Sequence, residues 1–194
     1  MHNIIVTEGI VLQKRGVGEA NTRVAFLTRD LGLVRASARS ARVEHSKLRY
    51  GLEALTSGRF SFVRGKHEWR LVGAEKVSRA HLLASTPERV RALGRIARLL
   101  LRLVAGEEPL PELYSSVAEG FEYLSRAQSG ADAEAIECVL VLRILSHLGY
   151  LPHTPQIAPF VESDFFSIEL AAEAARSRAL LIRAINESLG ATGL

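Results

Sequence analysis

Leu27-Thr28-Arg29-Asp30-Leu31-Gly32-Leu33-Val34-Arg35-Ala36-Ser37-Ala38-Arg39 decides how the amino-terminal part of this chain folds. Asp30-Leu31-Gly32 is a hairpin signal, because Gly32 is free to take the positive φ that closes such a turn. After the turn the pattern has period two. Val34, Ala36 and Ala38 face one way, while Arg35, Ser37 and Arg39 face the other. This strand, apolar on one side and cationic on the other, runs straight into Arg39-Ser40-Ala41-Arg42-Val43-Glu44-His45-Ser46-Lys47-Leu48-Arg49. No aliphatic pattern in that loop would bury its cations. A basic loop between strands of a small β-domain suits a phosphate backbone gripped without sequence readout. The plainer reading is a solvated loop of ordinary surface cations.

Working outward, residues 4–12 are apolar and β-branched, and residues 22–28 form a second run. Residues 59–63 place Phe60 and Phe62 on one side, and Arg64-Gly65-Lys66 turns into residues 68–77, where Trp69 and Leu71 share a face. Five short strands with tight turns suit a small closed barrel better than a sandwich, and an OB-type barrel is expected.

Past residue 80 the period becomes 3.6. Ser85-Thr86-Pro87-Glu88 offers a hydroxyl N-cap, a proline where its missing N–H costs nothing, and an acid at the positive dipole end. Val90, Leu93, Ala97, Leu100, Leu101 and Val104 then make an apolar stripe. Gly106, Pro109 and Pro111 end that helix. A second helix is expected over roughly 111–127. A third should run from about Asp132, read as its N-cap, to Leu148, with Gly149 at C′. Residues 150–166, with three prolines, read as a loop, and a last helix over roughly 167–189 as broken near Arg176-Ser177. The expected fold class is therefore α+β with segregated domains: residues 1–80 a five-stranded OB-type barrel that binds nucleic acid, residues 81–194 an α-helical domain for partner interaction.

Charge divides along the same line. Residues 1–80 hold 15 Lys and Arg against 7 Asp and Glu, a balance of +8, whereas residues 81–194 hold 10 against 14, a balance of −4. Such asymmetry points to a polyanion-binding half joined to a half with another task. Candidate nucleic-acid contacts are Arg35, Arg39, Arg42, Lys47 and Arg49, extended by Arg64, Lys66 and Arg70, with Arg59 a further member of that extension. Phe26, Phe60, Phe62 and Trp69 either stack bases, as aromatics on an OB face do, or fill the barrel. Arg91, Arg95, Arg98 and Arg102 line one face of the first helix. They either pair with acids such as Glu119, Glu122, Glu134 or Glu137, or form a dock for an acidic partner.

One cysteine, Cys138, excludes an intramolecular disulfide and a Cys-rich zinc cluster, and its apolar neighbours mark it as a buried filler. The six histidines show no metal-ligand spacing. No catalytic triad order, paired catalytic carboxylates or phosphate-cradling glycine loop appears, since Gly16-Val17-Gly18 lacks the following Gly and helix. A non-enzymatic protein is expected. No apolar run approaches membrane-spanning length and the amino terminus lacks a signal-peptide pattern, so the expected location is cytoplasmic.

Several segments, taken in order, resemble the bacterial recombination mediator family RecO. They are Glu8-Gly9-Ile10-Val11-Leu12, Gly18-Glu19-Ala20-Asn21, Leu27 to Ala36 as quoted above, Ala38-Arg39-Ser40-Ala41-Arg42, Ser46-Lys47-Leu48-Arg49 and Leu52-Glu53. Glu107-Glu108-Pro109-Leu110-Pro111-Glu112-Leu113-Tyr114 and Leu145-Ser146-His147-Leu148-Gly149-Tyr150-Leu151-Pro152 are similar to family segments more loosely. The resemblance implies binding of single- and double-stranded DNA, annealing of complementary strands, and loading of recombinase onto coated single strands. It also implies a RecR-like partner, the carboxyl-terminal tail of single-strand DNA-binding protein, a RecA-type recombinase indirectly, and nucleoid association. In the family that acidic-hydrophobic tail binds the helical domain, which fits the arginine face.

The chain departs from the family pattern in three ways. Many members carry a four-cysteine zinc module after the Leu-Gly-Tyr-x-Pro segment; residues 153–166 have no cysteine here, so no zinc is expected. Ser40 stands where the family tends to have Gly, and Glu44 dilutes the loop's charge. The chain is also shorter than most members. The alternative from another class is a protein–protein adaptor with little DNA affinity, using the arginine helix as its main surface.

Overall fold

Five strands close into a barrel in the order β1-β2-β3-β5-β4, where β1 is Ile4–Val17, β2 Asn21–Thr28, β3 Gly32–Ala38, β4 Thr56–Arg64 and β5 Trp69–Arg79. The computed structural model describes residues 3–19, 21–39, 52–66, 68–79, 86–163 and 165–191. These fall into two compact units, Met1–Ala80 with Ala97–Tyr114, and His81–Ile96 with Ser115–Leu194. The first unit therefore holds residues 97–114 in addition to those of the barrel.

Closure depends on β1. Its first half pairs antiparallel with β4, from Ile4↔Val63 to Ile10↔Ser57, and its second half with β2, from Gly9↔Thr28 to Val17↔Asn21. A register shift between Val11 and Gln13 bends the strand so that one segment serves both edges. β3 and β5 complete the circle in parallel through Ala36↔Trp69 and Ser37↔Arg70. This is the expected OB-type barrel, with β1 running to Val17 rather than stopping near Leu12.

The alternation after Gly32 holds as read. Val34, Ala36 and Ala38 are buried in the barrel core, and Arg35 and Arg39 are exposed. Gly32 takes φ 66°, and the turn before it is tied by the Thr28 hydroxyl donating to the Gly32 carbonyl at 2.9 Å. Thr7 Oγ1 donates to Asp30 Oδ2 at 2.7 Å and fixes the hairpin against β1.

Phe26, Phe60 and Phe62 are fully buried, with Phe26 4.8 Å from Phe60 and 5.1 Å from Phe62 between ring centroids. Each contributes about 1.5–3 kcal/mol by burial. The base-stacking reading is overturned for these three, because no ring face reaches solvent; they are barrel core.

Among the helices, α1 (Pro87–Leu103) starts in the second unit and ends in the first, and α2 (Pro111–Ser125) crosses between them in the reverse sense. α3 (Gly130–His147) packs against α4 (Ala158–Val161), α5 (Ile168–Arg176) and α6 (Arg178–Ala191). Its N-cap is Ser129, not Asp132. Ser129 Oγ accepts from the Asp132 N–H, and the Asp132 carboxylate accepts from the Ser129 N–H, a reciprocal capping box. Gly149 takes φ 75° after the helix, as its C′ position predicts. Residues 150–166 hold the short turn α4, where only a loop is expected from the prolines. The predicted break near Arg176-Ser177 is real: α5 is capped by Ser167 and stops at Arg176, and α6 resumes at Arg178.

Candidate nucleic-acid interface

A cleft of about 500 Å³ opens on the first unit, lined by parts of β1, β2 and β3, the β4–β5 turn and residues Gly106 and Glu107. Its cations come from strand register. Gln13 lies opposite Ala25 and Ala25 opposite Arg35, so these share one outward row. Two residues further on, Arg15 lies opposite Arg23, Arg23 opposite Ser37 and Ser37 beside Arg70. Like charges directly opposed across strands are destabilising, yet Arg15 and Arg23 meet in this way and both are exposed.

Neutralisation inside the cleft is partial. Arg15, Arg23, Arg35 and Arg64 face two carboxylates, Glu68 and Glu107. Arg23 reaches Glu68 only at 3.8 Å, and Arg64 pairs with Glu107. Arg15 and Arg35 have no ion-pair partner among the described residues. Trp69, 6% exposed, lines the cleft from the core side, with the Arg64 guanidinium 4.7 Å from its ring centroid. The base-stacking alternative for Trp69 meets that obstacle: Arg64 already covers the ring.

The remaining sequence candidates separate. Arg39 is exposed just past β3, on the Arg35 and Ser37 side of the alternation. Arg70 is half-buried beside Ser37, and its Nε finds no hydrogen-bond partner among the described residues. Lys66 is exposed after β4 without lining the cleft. Arg42, Lys47 and Arg49 lie outside the described residues. Arg59 sits on a different row, opposite Glu8 on one side and Glu75 on the other, so its charge is offset. It lines a smaller hollow of about 280 Å³ with Glu8, Ser57, Gly58, Ser78 and Tyr114. Burial, then the Glu8 carboxylate, push the Tyr114 hydroxyl up to about 12.

Arg15 and Arg23 are the residues that sequence reasoning missed. Ending β1 near Leu12 left Arg15 in a loop. Register counted outward from the turn at Gly18-Glu19 would have placed 17 against 21, and hence 15 against 23.

The α1 arginines also divide. Arg95 sets one guanidinium edge against the Glu137 carboxylate, Nε donating to Oε1 and Nη2 to Oε2, each at 2.6 Å, which is the pairing alternative. The Glu137 bond raises its pKa above the ordinary arginine value, against opposing burial. Arg91 meets Glu88 at 3.5 Å in an exposed i,i+3 pair. Arg98 and Arg102 are exposed and have no ion-pair partner among the described residues.

Cys138 is half-buried rather than buried; burial raises its thiol pKa, Glu137 and Glu134 add to that, and Arg178 opposes it. Among the described residues no three His, Cys, Asp or Glu side chains gather as a metal site. No helix among them is long and apolar enough to cross a membrane.

Two family models match this chain: Recombination protein O N terminal over residues 1–78, and Recombination protein O C terminal over residues 84–156. A DNA repair protein RecO from Heliobacterium modesticaldum is 29% identical over 145 residues, covering 75% of this chain and 51% of its own. The Thermodesulfovibrio yellowstonii protein of the same name is 32% identical over 151 residues, covering 75% and 58%. That from Gloeothece citriformis is 28% identical over 149 residues, covering 77% and 52%. The chain thus spans about half the length of the curated relatives it matches.

Proposed function

This chain belongs to the recombination protein O family of DNA repair proteins, and on that premise we propose that its barrel holds a DNA strand by the phosphates in the Arg15–Arg23–Arg35 cleft. The observation that carries this reading is the cross-strand cation rows, with Arg15 opposed to Arg23 and neither Arg15 nor Arg35 neutralised among the described residues. Mutual repulsion at that spacing costs the free protein stability, and an incoming polyanion relieves it. Arg39, Arg70 and Lys66 extend the contact, together with Arg42, Lys47 and Arg49 from the sequence that follows β3.

Because the contacts go to phosphates, bases stay free to pair. Neutralising two strands on one cationic face lowers their repulsion and favours annealing, with no bond made or broken, so the activity is non-enzymatic. Single and double strands both present the required phosphates. Loading of recombinase onto coated single strands, and a RecR-like partner, follow from the family as parts of the same proposal. An acidic partner tail is assigned to the exposed Arg98 and Arg102, because Arg95 is engaged by Glu137.

The test compares Arg15→Gln, Arg23→Gln and Arg35→Gln together with a control triple, Arg126→Gln, Arg176→Gln and Arg183→Gln. The control removes equal charge from exposed arginines paired with acids three or four residues away in the chain. Fluorescence anisotropy with labelled oligothymidylate should show the cleft triple weakened at least about tenfold more than the control. Equal loss in both triples would reduce the cleft to one part of a diffuse positive field. A wild type that does not bind would favour the adaptor alternative.

A further inference from the structure

We propose that Arg64 is a phosphate-binding position which the free protein keeps filled with its own carboxylate, that of Glu107, and yields to a strand entering the cleft. This rests on the reading of the cleft as a nucleic-acid interface.

Glu107 follows α1, and its main chain is fastened to the barrel independently of its side chain. The Leu33 N–H donates to the Gly106 carbonyl at 3.2 Å. Gly32 passes so close that a Cβ there would lie 2.2 Å from the Glu108 carbonyl oxygen. Gly106 and Glu107 thereby become part of the cleft wall, and the Glu107 carboxylate pairs with the Arg64 guanidinium.

Three properties make this pair exchangeable. Both side chains are substantially exposed, 58% for Arg64 and 42% for Glu107, so the bond is weak and reversible. Carboxylate and phosphate offer a guanidinium the same paired-oxygen geometry, and phosphate carries the strand's other contacts with it. Finally, Arg64 lies 4.7 Å from the Trp69 ring centroid, so it keeps its place when Glu107 leaves. A further donor beside it is unused: Trp69 Nε1 is buried with no hydrogen-bond partner among the described residues.

The consequence is a threshold. A single small anion gains one contact and must displace a tethered carboxylate, whereas a phosphodiester strand also engages Arg15, Arg23 and Arg35. Glu107 thus selects chains of phosphates over isolated ones. It is a specificity device within the same cleft.

The experiment measures oligothymidylate affinity for wild type, Glu107→Gln, Glu108→Gln, Arg64→Gln and the double variant Arg64→Gln with Glu107→Gln. Glu108 is the adjacent acid, exposed and without an ion-pair partner among the described residues. Glu107→Gln should tighten binding about three- to fivefold at low salt, the scale of one exposed pair released. Glu108→Gln should change it less than about twofold, because long-range charge alone is screened. In the Arg64→Gln background, Glu107→Gln should give no tightening. Equal gains from both single variants, a gain that survives loss of Arg64, or no gain at all would each overturn the assignment. The cleft reading fails differently, through a wild type that does not bind or that binds undiminished after loss of Arg15, Arg23 and Arg35.

Discussion

Arg143 should govern the stability of the segment from Ile157 to Ile168, and truncating it is the most demanding test of the helical unit. It lies on α3 with 3% exposure, the buried cation of that unit among the described residues. Its Nε donates to the Phe160 carbonyl at 3.1 Å and its Nη2 to the Phe165 carbonyl at 3.3 Å. The guanidinium lies 4.2 Å from the Phe166 ring centroid and 4.0 Å from Glu119 Oε2. Glu119 in turn accepts the Phe166 N–H at 3.0 Å. Arg143→Met fills similar volume but leaves the Phe160 carbonyl without its donor, at about 1–1.5 kcal/mol, while the Phe165 carbonyl keeps the Ser163 hydroxyl. Loss of the ring contact adds about 1 kcal/mol. The sum is about 2–2.5 kcal/mol.

Because the chain forms two units, amide exchange reports this better than a global melt. The Phe160, Glu162 and Phe166 amides, bonded to Ile157 O, Ala158 O and Glu119, should exchange about 30- to 70-fold faster in the variant. Arg143→Lys retains charge but not the fork, and should lose about half as much free energy. Exchange within about threefold of wild type at all three amides would refute the clamp and leave Arg143 a tolerated burial.

Gly32→Ala should destabilise the barrel by at least about 2 kcal/mol in chemical denaturation, since φ is 66° and the added methyl would strike the Glu108 main chain; a cost near zero would mean that the turn relaxes freely. Tyr114 titrates near 10 when unfolded and at about 12 when folded, so its contribution is complete below pH 10 and is lost as pH rises through 12. Tyr114→Phe should therefore flatten the fall in Tm across that alkaline window, and an unchanged slope would contradict the burial. Purified protein should carry no stoichiometric zinc by elemental analysis, and one zinc per chain would demand a ligand set absent from the described residues.

The barrel was legible because each of its signals is local. Gly32 announces a turn, and the alternation from Val34 to Arg39 assigns an inside and an outside without tertiary knowledge. Phe26, Phe60 and Phe62 invited two readings, since an aromatic on a short strand looks the same in sequence whether it faces core or ligand. The cleft was half legible. Arg35 and Arg64 were visible as cations on strands, but Arg15 and Arg23 acquire meaning only from cross-strand register, a non-local property. The charge of Arg59 told nothing of Glu8 and Glu75 on its neighbours. Arg143 was invisible for a related reason: one cation in the apolar run Val139 to Leu145 reads as noise until α4 supplies the carbonyl it serves. Ser129 lost the N-cap assignment to Asp132 because both are good caps three residues apart, and the reciprocal box uses both.

The slope of log affinity for oligothymidylate against log salt concentration, for wild type and for the Arg15, Arg23 and Arg35 triple variant, tests the cleft most directly. Each phosphate contact on a single strand contributes about −0.7 to that slope. The account predicts a steep wild-type slope that flattens by about two units in the triple variant. Equal slopes in the two proteins would contradict it, because no phosphate would then be held by those three arginines.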